Sequence, residues 1–329
     1  MKKFINYFLL AAILPALIIT GCKDNTDPVP AEKGNFETLK SYMVANDLDL
    51  LGDQLLASWV IAPKLTTDGG IVEPDVNTIP TYHVFDIRSA DDFNAGHIPG
   101  AINVALVDIV TVAADYSDKP ILVVCKTGQT AGRGTMALRL SGFPDAKVMK
   151  FGMSYWNATY DLWTGNIDNL ADGSPNWTTD ASATLPVNDF PQWETTSTDG
   201  AEILAANVDA MLNASGWGVN GADILADPAA YNIYNFWVEA DYTTFGHFTD
   251  AYQLNPISLA NDVVYALPTS DECLIYCFTG QTSSFATAWL QVLGYNAKSI
   301  LFGVNKLKYD ELDAASKPAW HHSFDYVSE

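Results

Sequence analysis

Val123-Val124-Cys125-Lys126-Thr127-Gly128-Gln129-Thr130 returns 152 residues later as Ile275-Tyr276-Cys277-Phe278-Thr279-Gly280-Gln281-Thr282. Each copy opens with an apolar run of strand type, at residues 121–124 and 274–276. Each is followed by a helix-like stretch that closes on Leu140-Ser141-Gly142-Phe143 or Leu293-Gly294-Tyr295. A buried strand, a glycine-containing turn and a helix in that order form a βα unit. The chain carries this unit twice.

Working outward, Gly96-His97-Ile98 is echoed by Gly246-His247-Phe248, and Tyr82-His83-Val84-Phe85 by Tyr231-Asn232-Ile233-Tyr234. Apolar helical candidates at 36–44 and 203–212 precede the two copies. The matches keep their order along the chain, the mark of a tandem duplication. Within the first copy, strand signals at 84–87, 101–104, 121–124 and 147–150 alternate with helical ones. That alternation predicts an α/β protein of two tandem domains, each a parallel sheet flanked by helices. The expected organisation is a first domain at 36–165, a linker rich in Thr, Ser, Asp, Asn, Pro and Gly at 166–200, and a second domain at 201–329.

Composition bounds the function. The 329 residues hold 39 acids against 17 Lys and Arg, for a formal charge of −22, and 48% are apolar. A chain this acidic lacks the cations that neutralise phosphates, which argues against nucleic acid as a partner. The apolar content is enough for packed cores. Four cysteines are too few for a disulfide scaffold of this length. Residues 1–21 read as a lipoprotein signal peptide: Met1-Lys2-Lys3, a short apolar run interrupted by Pro15, then Ile19-Thr20-Gly21-Cys22. The run is shorter than the ~20 residues of a membrane span. Ile-Thr-Gly-Cys resembles the bacterial lipobox, which implies lipidation at Cys22 and a polar tether over residues 22–35. The expected location is the bacterial cell envelope, lipid-anchored. Lys23 after the lipidated cysteine points to the outer membrane and leaves the periplasmic or surface face open.

The cysteine loops carry the chemistry. A cysteine between a strand and a helix N-terminus faces backbone N–H groups and the positive end of the helix dipole. Such a setting lowers a thiol from its usual ~8.5 and makes it a nucleophile at neutral pH. The alternative for a strand-end cysteine is a buried packing residue, and the repetition of the setting favours the nucleophile. A cysteine phosphatase needs an arginine six residues after the cysteine, and Ala131 and Ser283 stand there. A metal site built from Cys273, Cys277, His247, His321 and His322 fails on spacing. Cys-x3-Cys along a strand puts the two Cα atoms about 13 Å apart, too far for a disulfide as well. Cys273 is therefore expected in the core.

Asp86-Ile87-Arg88, Phe93, Gly96-His97-Ile98-Pro99-Gly100-Ala101, the loop from Cys125 to Thr130 and Phe151-Gly152-Met153-Ser154-Tyr155-Trp156 together resemble the rhodanese homology domain. The resemblance covers about residues 80–157 and, more faintly, 229–309. It implies a sulfurtransferase that takes sulfane sulfur from an anionic donor such as thiosulfate onto a cysteine persulfide. A thiol or cyanide-like acceptor then removes the sulfur. By resemblance Cys125 is the nucleophile, with Cys277 as its counterpart. Lys126, Thr127, Gly128, Gln129, Thr130 and Arg88 hold the donor, while Asp86 and His97 are structural near the site. No metal or organic cofactor is implied. The second copy departs from the pattern, with Asn235-Phe236-Trp237 for Asp86-Ile87-Arg88 and Phe278 for Lys126. Lys119, Lys126, Arg133, Arg139, Lys147 and Lys150 surround the first loop against Asp145 alone, whereas residues 151–297 contain no Lys or Arg. That contrast predicts a basic island steering anions to Cys125. The competing reading is a non-catalytic sulfur carrier or a binding or scaffold lipoprotein, because a fold does not fix an activity.

Overall fold

The computed structural model describes residues 32–33, 35–61 and 79–329. The signal peptide, Cys22 and most of the tether lie outside the described residues. Two five-stranded sheets dominate. The first contains β1 (Val60–Ile61), β2 (His83–Asp86), β3 (Ile102–Asn103), β4 (Ile121–Val124) and β5 (Lys147–Met149). The second contains β6 (Gly218–Asn220), β7 (Asn232–Asn235), β8 (Tyr252–Gln253), β9 (Cys273–Tyr276) and β10 (Ala297–Leu301). Strand order is 1-5-4-2-3 in one and 6-10-9-7-8 in the other, and every pairing within them is parallel. The duplication read from the cysteine loops is thus a duplication of topology.

Helices cover the sheets: α1 (Phe36–Ala45), α2 (Ala90–Asn94), α3 (Ile109–Ala113), α4 (Gln129–Leu140), α5 (Met153–Trp156), α6 (Gly200–Asn213), α7 (Gly221–Ala226), α8 (Glu239–Phe245), α9 (Gln281–Val292) and α10 (Tyr309–Ala314). The central strands β4 and β9 are buried at every position, which is why they read as unbroken apolar runs rather than alternating ones. Helices α4 and α9 follow them and pack on each other, so that the two domains meet through their cysteine-loop helices. Gly132 makes this approach possible: a Cβ there would lie 3.3 Å from the Phe285 amide on α9. Ser284 Oγ donates to the Gln129 carbonyl across the same seam (2.6 Å).

The leading helix α1 seats on the second domain. Phe36 stacks on Phe190 at 5.3 Å and meets Tyr265 and Tyr295, while Trp289 Nε1 donates to the Leu48 carbonyl just past the helix. Trp289 is fully buried. A ring system of that size removes roughly 200 Å² from water, about 5 kcal/mol at ~25 cal/mol per Å². Residues 166–200 run beside the second domain: Trp177–Thr178 pairs with His247–Phe248, and the Asn188 amide donates to the Tyr265 carbonyl. The last residues return to the first domain, where the Glu329 and His97 backbones exchange two 3.0 Å hydrogen bonds. Each domain is therefore strapped by chain from the other's end of the sequence.

Candidate active site

Cys125 sits one residue beyond the carboxyl end of β4, where open parallel sheets place their ligands. Its sulfur accepts the amides of Gly128 (3.1 Å) and Ala131 (3.3 Å) at the start of α4. Gly128 holds φ +80°, a left-handed conformation that returns the chain toward the sulfur and strains any residue with a Cβ. The thiol is almost wholly buried. Burial pushes its pKa up, against the pull of the Ala131, Thr127 and Gly128 amides, and Asp86 adds to the upward push. The expectation of a thiol lowered by the helix N-terminus is thus corrected: in the closed loop, desolvation outweighs the amides.

A cleft of about 380 Å³ opens over this sulfur. From the first domain it is lined by Ile87, Arg88, Ser89, Cys125, Lys126, Thr127, Gln129, Thr130 and Leu162, and from the second by Trp217, Leu301 and Phe302. The roof residues of the second domain escaped the sequence reading. One signal for them was present: Phe302-Gly303 echoes Phe151-Gly152.

The loop residues expected to hold a donor have different fates. Lys126 stands at the mouth, half exposed, with Nζ 2.9 Å from Asp92 Oδ2. Asp92 is held below the usual carboxylate range, first by Ser89 Oγ–H and then by Lys126. A pair this exposed is worth about 0–1 kcal/mol, so an incoming anion can draw the ammonium away at little cost. Arg88 is different. Its Nε reaches both carboxylate oxygens of Asp86 (2.9 and 3.0 Å), and its Nη2 donates to Asp86 Oδ2 (2.6 Å) and the Gly96 carbonyl (2.8 Å). Breaking a buried pair leaves an uncompensated charge at about 3–5 kcal/mol, so Arg88 forms a fixed wall of the cleft. His97 stacks on Phe93 at 3.8 Å, and its Nδ1 pairs with the Phe93 carbonyl. The second copy repeats this with His247 on Tyr242 at 3.7 Å.

Gln129 lines the cleft, but its Oε1 accepts the Phe302 amide of the second domain (2.8 Å) and its Nε2 donates to Thr127 Oγ1 (3.1 Å). The reciprocal contact exists: Gln281 Oε1 accepts the Phe151 amide of the first domain (2.8 Å). Each glutamine fills the space beside the other loop's glycine, 2.4 Å from where a Cβ of Gly128 or Gly280 would lie.

The basic island is corrected. Arg133 is fully buried between the domains, donating to Gln291 Oε1 (2.8 Å) and the Met211 carbonyl (2.5 Å). Arg139 is also buried and donates to the carbonyls of Gln54, Leu55, Ala57, Ser58 and Ala146. Desolvation lowers both guanidinium groups to about 10. Burial also lowers Lys150, and Lys147 Nζ donates to the Ser58 carbonyl. Arg133, Arg139 and Lys147 thus bond within the fold, and of the cleft's two cations Arg88 is tied to Asp86 while Lys126 stands at the mouth.

At the second loop, Cys277 is equally buried, and its sulfur accepts the Ser283 amide (3.3 Å). Asn235 Oδ1 accepts the Trp237 amide (2.8 Å), the bond that Asp86 makes to the Arg88 amide in the first domain (3.0 Å). Trp237 lies where Arg88 would be and stacks on Phe278 at 4.4 Å. Asp241, the counterpart of Asp92, is paired with Lys317 from the end of the chain (2.6 Å). Lys317 also lies over the Phe245 and Phe278 rings. Cys273 is in the core as expected, donates to the Asn296 carbonyl and is pushed by burial to about 12.

Residues 76–159 match the family model of the rhodanese-like domain. The chain is 39% identical over 84 residues to the thiosulfate sulfurtransferase GlpE of Pseudomonas putida, covering 25% of this chain and 74% of that protein. It is 36% identical over 87 residues to GlpE of Pseudomonas fluorescens, covering 25% of this chain and 79% of that protein. An uncharacterized Escherichia coli protein, YibN, is 36% identical over 77 residues, and there the chain spans about half of the relative's length (54%, against 22% of this chain). Among solved structures, a thiosulfate sulfurtransferase from Pseudomonas aeruginosa aligns over 80% of this chain and 46% of its own at 14% identity and a TM-score of 0.28. The sequence match spans the strand, the cysteine loop and the Phe-Gly turn that together make the Cys125 cleft, and by that match the chain belongs to the rhodanese-like family.

Proposed function

We propose that the protein is a sulfurtransferase working through a persulfide on Cys125. The observation that carries this reading is the Cys125 sulfur under two helix-terminal amides at the floor of a cleft with a releasable lysine at its mouth. An anionic donor such as thiosulfate enters with its charge toward Lys126. The thiolate attacks the outer sulfur, a new S–S bond forms, the donor's S–S bond breaks and sulfite leaves with its electron pair. A thiol or cyanide-like acceptor then attacks the outer persulfide sulfur and returns Cys125 as thiolate. Burial opposes deprotonation, so the loop amides serve to stabilise both the thiolate and the persulfide anion.

The lipobox-like Ile19-Thr20-Gly21-Cys22 supports a cell-envelope lipoprotein, which Cys22→Ser tests by loss of fatty-acid labelling. For the chemistry, the test is intact mass before and after thiosulfate, followed by cyanide. The expected result is one added sulfur of about 32 Da, lost to cyanide and absent in Cys125→Ser. No added sulfur with thiosulfate or with an organic persulfide would overturn the enzymatic reading in favour of a binding module.

A further inference from the structure

We infer that Gln281, a residue of the second cysteine loop, is a positioning residue for the first: its amide oxygen reaches across the domain interface and fixes the turn that backs the Cys125 loop. The inference rests on the reading of Cys125 as the reactive thiol and extends it to the second domain's purpose.

Three hydrogen bonds connect that oxygen, through the turn, to the loop that carries the sulfur. Gln281 Oε1 accepts the Phe151 amide at 2.8 Å. Phe151 holds φ +60° and Gly152 φ +59°, a left-handed pair that costs a non-glycine residue energy unless its surroundings hold it. This turn lies directly behind the catalytic loop: a Cβ on Gly152 would be 2.3 Å from the Cys125 carbonyl and 2.7 Å from the Gly128 amide nitrogen. From the turn, the Met153 amide donates to the Cys125 carbonyl (2.8 Å) and the Ser154 amide to the Lys126 carbonyl (3.0 Å). Those two bonds hold the loop's carbonyls away from the sulfur, so that its N–H groups are free to face it. Gln281 is itself buried and comes from the first turn of α9.

The arrangement is reciprocal, with Gln129 holding the Phe302 amide behind the Cys277 loop. It explains a fact that sulfur chemistry alone does not. The second copy keeps Thr279-Gly280-Gln281-Thr282 intact although it has lost the Asp, Arg and Lys of the first. The glutamine is required by the other domain, and Gly280 leaves the space that Gln129 occupies.

The test is the pH dependence of alkylation at each cysteine of the full chain, resolved by peptide mass, in Gln281→Met and Gln281→Asn. Methionine keeps the volume and removes the acceptor. The misaligned loop amides then stabilise the Cys125 thiolate less, so the Cys125 midpoint rises by about half a unit or more. Its persulfide formation slows about tenfold in kcat/KM. If the methionine variant does not fold, the asparagine variant carries the test. Its side chain is one methylene shorter, which withdraws the acceptor from the Phe151 amide and raises the Cys125 midpoint in the same direction. A change confined to Cys277, the residue's own loop, overturns the inference, and so does an unchanged Cys125 profile in both folded variants. Alkylation needs no sulfur donor, so a wild-type protein that forms no persulfide would sink the proposed function while leaving this result readable.

Discussion

In the first loop an aspartate, an arginine and a lysine stand around the cysteine; at the same three places the second carries Asn235, Trp237 and Phe278. The backbones agree closely: both glycines before the helix have φ near +75°, and both turns behind the loops are left-handed Phe-Gly pairs. The charge environments do not agree. Arg88 places its Nε and Nη2 hydrogens on acceptors, whereas Trp237 Nε1 is buried and finds no acceptor among the described residues. The Cys125 sulfur takes two amides where Cys277 takes one. Duplication has thus kept the scaffold twice and the Asp-Arg-Lys set once, and the second domain roofs the first loop's cleft.

The largest effect that could break this comparison is at the thiols themselves. Cys125→Ser is expected to lower thiosulfate:cyanide sulfur transfer by about a thousandfold or more, because the nucleophile is gone. Cys277→Ser is expected to stay within about threefold of wild type. Steady-state kinetics of the two variants decide it, and reversed effects would mean that the intact charge set does not mark the working loop.

Next come the residues at the first strand's end. Arg88→Met strands a buried carboxylate on Asp86, and urea denaturation should show a loss of about 3–5 kcal/mol. Asn235→Ala removes one side-chain hydrogen bond to the Trp237 amide and should cost only about 1–2 kcal/mol. Equal losses would show that the neutral set is as tightly coupled as the charged one.

The pH behaviour of Cys125 sharpens the contrast in another way. Its folded pKa lies above the ordinary thiol range, chiefly through burial. A raised acid favours the folded state while it stays protonated, so this contribution is complete below the unfolded value and is lost as pH climbs through the folded one. Alkylation of Cys125 should therefore keep accelerating past pH 9, and Cys125→Ser should flatten part of the alkaline fall in stability. A plateau in alkylation below pH 8 would show that the amides outweigh desolvation after all.

The fold was legible because its signals are local. An apolar run before a glycine loop and a helix specifies a βα unit, and doing so twice in order specifies two sheets. Asp86 and Arg88 were marked by the rhodanese resemblance, and the structure joins them in an ion pair at the strand end. What stayed hidden depends on where helix faces point. Arg133 and Arg139 count as cations in a sequence window, yet α4 is buried on nearly every side, so its arginines become interior donors rather than a surface field. Gln129 and Gln281 read as loop residues of their own domains, since nothing local tells a side chain to cross an interface. The swapped seat of α1 depends in the same way on Phe36 meeting Phe190 and Tyr265, far along the chain.

Lys317 is the hardest of these to foresee and supports the smallest prediction. It lies 39 residues beyond Phe278, the position where the first loop carries its lysine, yet it pairs with the matching aspartate. The second loop therefore retains a cation at its mouth, supplied from the end of the chain and laid over two aromatic rings. The pair is partly exposed and the rings add roughly 0.5–1 kcal/mol, so Lys317→Ala should cost only about 1 kcal/mol in total. It should leave sulfur transfer at Cys125 unchanged, whereas Lys126→Ala should raise the KM for thiosulfate about tenfold with little change in kcat, as expected for a group that binds the anion before and during the reaction alike. Phe278→Lys restores the first loop's residue at its own position. If the aromatic mouth had simply replaced one cation by another, this variant would release Lys317 at no net cost; a loss of 1–2 kcal/mol, from the stacking of Phe278 on Trp237, would show that the rings themselves now hold the second loop together.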